Sequence, residues 1–164
     1  MQTLWAPWRM EYIEEESKDA ETGCLFCPRI KADNDHENLI VYRGPRTVVF
    51  MNKFPYTNGH TLVMPTRHVG EMDDLDDDEL YELFDKVRLT RRVIQKVMNP
   101  DGYNIGINLG KVAGAGVPGH LHVHIVPRWE GDHNFMPVLA DAKVVPEHLL
   151  RTQEKLARAF GEME

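Results

Sequence analysis

The segment Gly119-His120-Leu121-His122-Val123-His124-Ile125-Val126 alternates imidazole rings with aliphatic side chains. A β-strand sorts such a pattern into two faces, because successive side chains point to opposite sides of it. His120, His122 and His124 then share one face, and Leu121, Val123 and Ile125 form the other, which can pack on a core. Rings on alternate residues lie about 7 Å apart along a strand. A small anion can therefore meet one ring while the neighbouring rings hold it or orient that ring. The same alternation also fits a plain solvated strand, and an H-x-H pair can begin an all-histidine metal site.

The residues in front of the strand weigh on that choice. Asn108 to Gly119 contains Gly110, Gly114, Gly116 and Gly119, with Lys111 among them. Glycines let backbone N–H groups approach an anion closely. The loop lacks G-K-[ST] and the spacing of a P-loop. Joined to the histidine strand, it reads as a phosphate cradle built around Gly114 and Gly116 that delivers phosphorus to an imidazole. A neutral imidazole, with an ordinary pKa of about 6.5, is a competent nucleophile at neutral pH. The reaction class that follows is nucleotidyl transfer, with the attacking nitrogen set by what the other ring nitrogen donates to.

Charge and size bound the rest. The 164 residues carry 19 basic and 26 acidic side chains, a formal charge of −7, which argues against binding extended nucleic acid. A compact anionic ligand in a local pocket is not excluded. With 42% apolar residues the chain can bury a core, so disorder is not the default. No apolar run approaches the roughly 20 residues that cross a bilayer. Met1-Gln2-Thr3-Leu4-Trp5-Ala6-Pro7-Trp8-Arg9 has no basic segment followed by an apolar stretch, so a cytoplasmic protein without a signal peptide is expected.

Cys24 and Cys27, the two cysteines, stand in a C-x-x-C pair. Three readings are open: a redox dithiol, half of a zinc site, or inert thiols. The polar residues before the pair disfavour the strand that a redox motif wants. Zinc would need two more ligands, and histidines must supply them.

One domain over 1–164 is expected, with an irregular N-terminal extension to about residue 23. Strand-like runs at 38–43, 47–51 and 60–64 are short, rich in β-branched residues and bounded by turn residues, which suggests an antiparallel meander. A helix follows, capped at Asp76, with Asp77, Asp78 and Glu79 in its first turn and an apolar stripe of Leu80, Leu83, Phe84, Val87, Val93, Ile94 and Val97. Asn99-Pro100-Asp101-Gly102 ends it. Strands follow at 103–109 and 120–126, with an edge strand in 136–145. Pro146 opens a last helix whose apolar face is Leu149, Leu150, Leu156 and Phe160. The order is that of an α+β fold: an antiparallel sheet of about five strands, one long helix and one C-terminal helix.

H-x-H-x-H followed by two apolar residues resembles the signature of the histidine triad superfamily of nucleotide hydrolases and transferases. Asn52 with Gly59-His60-Thr61-Leu62-Val63-Met64-Pro65 resembles its nucleotide-binding strands. Cys24-x-x-Cys27 and Thr66-Arg67-His68 resemble the zinc-bearing bacterial branch. Leu4 to Arg9 and Pro127 to Phe135 look like the branch that includes diadenosine tetraphosphate phosphorylases and hydrolases. The resemblance covers roughly residues 24–130.

It implies roles for particular residues. His122 resembles the nucleophile, His124 the partner on the phosphate oxygens, and His60 the supporting histidine. Asn52 resembles the ribose contact, and Asn108 the residue near the phosphates. Cys24, Cys27, His68 and His120 match the ligands of a structural zinc. No organic cofactor is implied. A homodimer is implied, and Trp5, Trp8 and Tyr12 have apolar surface to cover. His36, His133 and His148 have no motif behind them and are expected at the surface.

One departure matters chemically. Many members carry a hydroxyl residue shortly before the triad, where it can protonate a leaving group; here the positions read Gly116-Val117-Pro118-Gly119. An amine leaves poorly without a proton, whereas a nucleotide leaves readily as an anion. The sequence thus points to dinucleoside polyphosphates cleaved through a nucleotidyl-histidine, with water or phosphate as acceptor. The alternatives are a nucleotide-binding regulatory module with little turnover, and a zinc-dependent hydrolase that uses the triad as metal ligands.

Overall fold

The computed structural model describes residues 23–132 and 147–164. The expected edge strand at 136–145, Pro146, His133 and the aromatic block Trp5, Trp8 and Tyr12 lie outside the described residues. In chain order the elements are α1 (Phe26–Lys31), β1 (Ile40–Arg43), β2 (Thr47–Met51), β3 (Thr61–Pro65), α2 (Asp77–Met98), β4 (Gly102–Ile107), β5 (Val123–Arg128) and α3 (Leu149–Met163). The five strands form one antiparallel sheet in the order β1-β2-β3-β5-β4. The expected α+β architecture is present. The meander holds for β1 to β3, while β5 inserts between β3 and β4 and leaves β4 at an edge among the described residues.

The long helix has the expected ends. Asp76 accepts from the Glu79 N–H and the Glu79 carboxylate accepts from the Asp76 N–H, a reciprocal capping box. Asn99, in the left-handed region at φ 46°, closes the helix with its N–H on the Gln95 carbonyl. Leu83, Val93 and Ile94 are fully buried against one face of the sheet, where Leu156 and Phe160 of α3 join them. Burying each such side chain contributes about 1.5–3 kcal/mol. Phe84 departs from the expected stripe: it lies on the outer face of α2 beside Tyr81, and both are exposed. The buried line runs through Leu83 and Val87, and Phe84 is turned away from it.

Both faces of β2 and β3 are buried. On the face away from α2, Ile40, Val48, Phe50, Leu62 and Met64 form a second, smaller core capped by Phe26 of α1. No element is expected from the sequence between residue 23 and the strand at 38–43, so α1 is a finding of the structure. Its local signal is Pro28 in the first turn, a position where the missing N–H costs nothing.

The histidine strand also differs from expectation. Pairing begins at Val123, so His120 and His122 lie just ahead of the ladder. Their backbone has other partners: the His120 N–H bonds the Val117 carbonyl and the Leu121 N–H bonds the Val69 carbonyl. The alternation survives, because Leu121, Val123 and Ile125 all sit in the core beneath α2. At the other end β5 runs on through Pro127 to Arg128. Pairing with β3 stops at Ile125, so the missing proline N–H breaks no bond there. Helix α3 begins at Leu149 with His148 as its cap rather than at Pro146.

Candidate functional site

Two groups of side chains meet at the start of β5. The first is Cys24, Cys27, His68 and His120, whose donor atoms all lie within 4.8 Å of one another. Cys24 precedes α1 and Cys27 lies in its first turn, His68 follows β3, and His120 ends the glycine-rich loop. Gly70 lets these segments come together, since a Cβ there would sit 2.8 Å from the Pro118 carbonyl oxygen.

The donor set fits a tetrahedral metal. Zn–S and Zn–N bonds of about 2.3 and 2.0–2.1 Å place neighbouring S and N ligands about 3.6 Å apart. The Cys24 Sγ to His120 Nδ1 distance is 3.3 Å, Cys27 Sγ to His68 Nδ1 is 3.4 Å and Cys27 Sγ to His120 Nδ1 is 3.7 Å. The remaining nitrogen of His120, Nε2, lies 2.9 Å from the Pro65 carbonyl and donates to it, which leaves Nδ1 as the ligand atom. Burial raises the Cys24 thiol, but the hydrogen bond with His120 and the N–H groups of Phe26 and Cys27 outweigh it and bring the thiol down from 9.0 to about 6. Burial and the neighbouring Cys24 push Cys27 up.

The second group is His122, His124, His60 and Asn52. His122 is buried, and its Nδ1 lies 2.7 Å from the His120 carbonyl oxygen. That acceptor assigns the proton to Nδ1 and leaves the lone pair on Nε2. Burial lowers the His122 pKa below 6.5, against the raising effect of this hydrogen bond, so the ring is neutral at pH 7. The ring centroids of His122 and His124 are 5.0 Å apart, closer than the strand spacing suggests.

His60 is fully buried behind them. It follows Gly59, whose φ of +76° suits glycine and whose Cβ would press on the Met98 sulfur at 2.6 Å. The Tyr56 N–H donates to His60 Nδ1 at 3.1 Å, so His60 carries its proton on Nε2 and donates it to His124 Nδ1 at 3.0 Å. His124 in turn holds its proton on Nε2. Asn52 Nδ2 stands 3.4 Å from His60 Nδ1, and its Oδ1 accepts from the Phe54 N–H.

A narrow cleft of about 50 Å³ opens beside this group, lined by His122, His124 and Asn52 with Phe26, Phe54 and Leu62 among its apolar walls. Arg29 and Lys53, two long flexible side chains, also line it. Phe26 packs on both His120 and His122, with ring centroids 5.6 and 5.5 Å away. The sequence reading missed Phe26 and Tyr56; the one lies between the cysteines, and the other acts through its main chain.

Asn108 reaches back to the Gly114 carbonyl, bracing the glycine-rich loop. The N–H of Gly114 bonds the Lys111 carbonyl, so it is spent inside the loop and does not face an anion. Gly116 lies further along the same loop, before His120. His36 and His148 are at the surface as expected, His36 paired with Glu154 at 3.3 Å.

The HIT domain family matches residues 33–131, a stretch holding His60, His68 and all three strand histidines. The chain belongs to the HIT family. It is 40% identical to an AP-4-A phosphorylase of Mycobacterium tuberculosis over 166 aligned positions, 98% of this chain and 85% of that protein. It is 44% identical to the asymmetrical bis(5'-nucleosyl)-tetraphosphatase of Schizosaccharomyces pombe, over 57% of this chain and 50% of that protein. Among solved structures, a Zn-bound histidine triad family protein from Mycobacterium smegmatis shares the fold with a TM-score of 0.69 and 27% identity, over 86% of this chain and 95% of that one. Among the described residues no helix of this HIT protein is long and apolar enough to cross a membrane.

Proposed function

We propose that this HIT protein cleaves dinucleoside polyphosphates by nucleotidyl transfer, with His122 as the nucleophile. The observation that carries the reading is the 2.7 Å contact between His122 Nδ1 and the His120 carbonyl, which leaves a neutral Nε2 lone pair beside the narrow cleft that His122 and His124 line. Nε2 attacks the α-phosphorus; the P–N bond forms as the P–O bond to the polyphosphate breaks, and that half departs as an anion. Attack by water or inorganic phosphate then breaks the P–N bond and returns His122. The Nε2–H of His124 donates to a phosphoryl oxygen as charge builds there. His60 acts behind it by fixing the tautomer. Phe26, Phe54 and Leu62 supply apolar contact for a base once Arg29 and Lys53 swing aside, and Asn52 faces the ribose.

The anionic leaving group suits a loop with no hydroxyl at Gly116 to Gly119. The relatives named for AP-4-A and bis-nucleosyl tetraphosphate support the same substrate class. Zinc fits Cys24, Cys27, His68 and His120 as a structural ion. Four protein donors leave no open coordination position, which disfavours a zinc-dependent hydrolase. The edge that β4 presents among the described residues and the exposed Tyr81 and Phe84 support a homodimer, and the two unpaired thiols suit the cytoplasm.

A coupled assay on diadenosine tetraphosphate, with and without phosphate, tests the reading. ADP plus ATP means phosphorolysis and AMP plus ATP means hydrolysis. If neither pair of products forms, the nucleotidyl-transfer reading is wrong.

A further inference from the structure

His124 lines two cavities. One is the cleft shared with His122 and Asn52; the other is a groove of about 390 Å³ on the far side of His124, lined by Tyr56, Thr57, Asn104, Asn108, Val126 and Arg128. The sheet builds this groove by register. His124, Val126 and Arg128 alternate along β5 and so share a face, and β4 sets Gly106 opposite His124 and Asn104 opposite Val126. Gly106 keeps the floor open beside His124, since a Cβ there would meet nothing within 4 Å.

The groove is mostly apolar, with a few polar groups whose charge is close to neutral. Both oxygens of Asp132 hold the Arg128 guanidinium, at 2.6 and 2.8 Å, so its charge is balanced. Arg128 also donates to Asn104 Oδ1 at 2.9 Å, which fixes that carboxamide with its NH₂ as the remaining donor. Tyr56 stacks on His60 at 4.9 Å and is still 43% exposed. An aromatic ring, a carboxamide and a charge-balanced guanidinium above a mostly apolar floor match a sugar and a base better than a bare phosphate. A volume near 390 Å³ lies in the range of small-molecule sites, about 300–1,000 Å³.

Geometry places the groove on the path of the leaving group. The attacking and leaving atoms at phosphorus stand roughly in line. With a nucleoside in the cleft and His122 behind the α-phosphorus, the departing half extends past His124. From His124 to Arg128 is four strand residues, about 13 Å, so only a leaving group longer than a phosphate or two reaches the far end. We propose that the β4/β5 groove is the subsite for the second nucleoside of a dinucleoside polyphosphate, held by Tyr56, Asn104 and Arg128. This rests on the nucleotidyl-transfer reading above and assigns the half of the substrate that the cleft does not hold.

The test compares two adenylyl donors on the whole protein: diadenosine tetraphosphate, and adenosine 5′-(4-nitrophenyl phosphate), whose leaving group is too short to reach Arg128. The variants are Asn104→Leu, at an exposed position, and Arg128→Lys, which keeps the charge and loses the fork. For each, the ratio of kcat/KM for the tetraphosphate to kcat/KM for the ester is expected to fall by roughly tenfold, the loss of one or two hydrogen bonds. The Ki of ATP as a product inhibitor should rise in parallel. An unchanged ratio in both variants overturns the subsite, as does a wild-type protein that cleaves the ester and ignores the tetraphosphate. If the wild type cleaves neither donor, the nucleotidyl-transfer reading itself fails. Because Arg128→Lys can loosen the turn at Asp132, the Asn104→Leu ratio decides when the two variants disagree.

Discussion

With zinc held as proposed by Cys24, Cys27, His68 and His120, chelation should slow turnover as well as loosen the fold, because His120 belongs to both sites. Its Nδ1 faces the thiols, while its carbonyl oxygen accepts the Nδ1–H of His122 at 2.7 Å. Without the metal, His120 is still held by its Nε2–H on the Pro65 carbonyl at 2.9 Å and by its backbone N–H on Val117 at 3.2 Å. The ring is therefore loosened rather than released, and the loss should resemble that of other groups that orient a ligand at one remove, about 10–100-fold in rate. Stability falls by linkage: a metal held at a thousand times its Kd contributes about 4 kcal/mol. For a chain of this length that is about 8–16 °C in Tm. The assay follows metal content, Tm and diadenosine tetraphosphate turnover through chelation and zinc re-addition, with Cys27→Ser as a variant that removes one donor and leaves His120 in place. Full metal loss with turnover unchanged would refute the coupling through His120. Complete loss of activity at unchanged Tm would instead favour a zinc-dependent hydrolase.

Other outcomes follow from single contacts. His122→Ala should lower turnover by about 10⁴-fold or more while nucleotide still binds, because the attacking nitrogen is gone; trapping of a labelled nucleotidyl-enzyme should fail with it. The Arg67 guanidinium, at 2.6 and 2.9 Å, holds the Glu79 carboxyl down from 4.5 to about 2. Its folded pKa lies below its unfolded value, so this stabilisation is complete above pH 4.5 and drains away as the pH falls toward 2. Urea midpoints measured between pH 7 and 3 should decline less steeply in Glu79→Gln, and an identical slope counts against the pair. Ile94→Ala, at a fully buried position, should cost about 2–5 kcal/mol in denaturant unfolding.

What could be read in advance depended on distance along the chain. The alternation at 120–126 and the caps at Asp76 and Asn99 are local, and each appears in the fold where the sequence put it. The position of β5 between β3 and β4 is a matter of pairing between remote segments, and no local pattern encodes it. The His60–His124 contact joins residues 64 apart, so the sequence could name both rings but not their mutual tautomers. Tyr56 was invisible for a different reason: its contribution is a backbone N–H, which every residue but proline possesses. Phe84 was misread because a helical stripe tolerates an extra apolar residue at its margin. The glycine loop was read as a row of free donors, but Gly114 spends its N–H on Lys111.

The hydrogen-bond chain from the Tyr56 N–H through His60 to His124 has a direction that neither ring can reverse, since a peptide N–H cannot become an acceptor. The other nitrogen of His124, Nε2, is thereby a fixed donor. A phosphoryl or carboxylate oxygen arriving there finds a hydrogen, whereas a metal cation or an ammonium group finds no lone pair. The same residue type four positions earlier, His120, offers its lone pair to soft cations because its carbonyl partner has drawn the proton to the other side of the ring. Two imidazoles four residues apart thus sort ions of opposite sign, and the sorting is set by one backbone donor and one backbone acceptor rather than by any charged side chain.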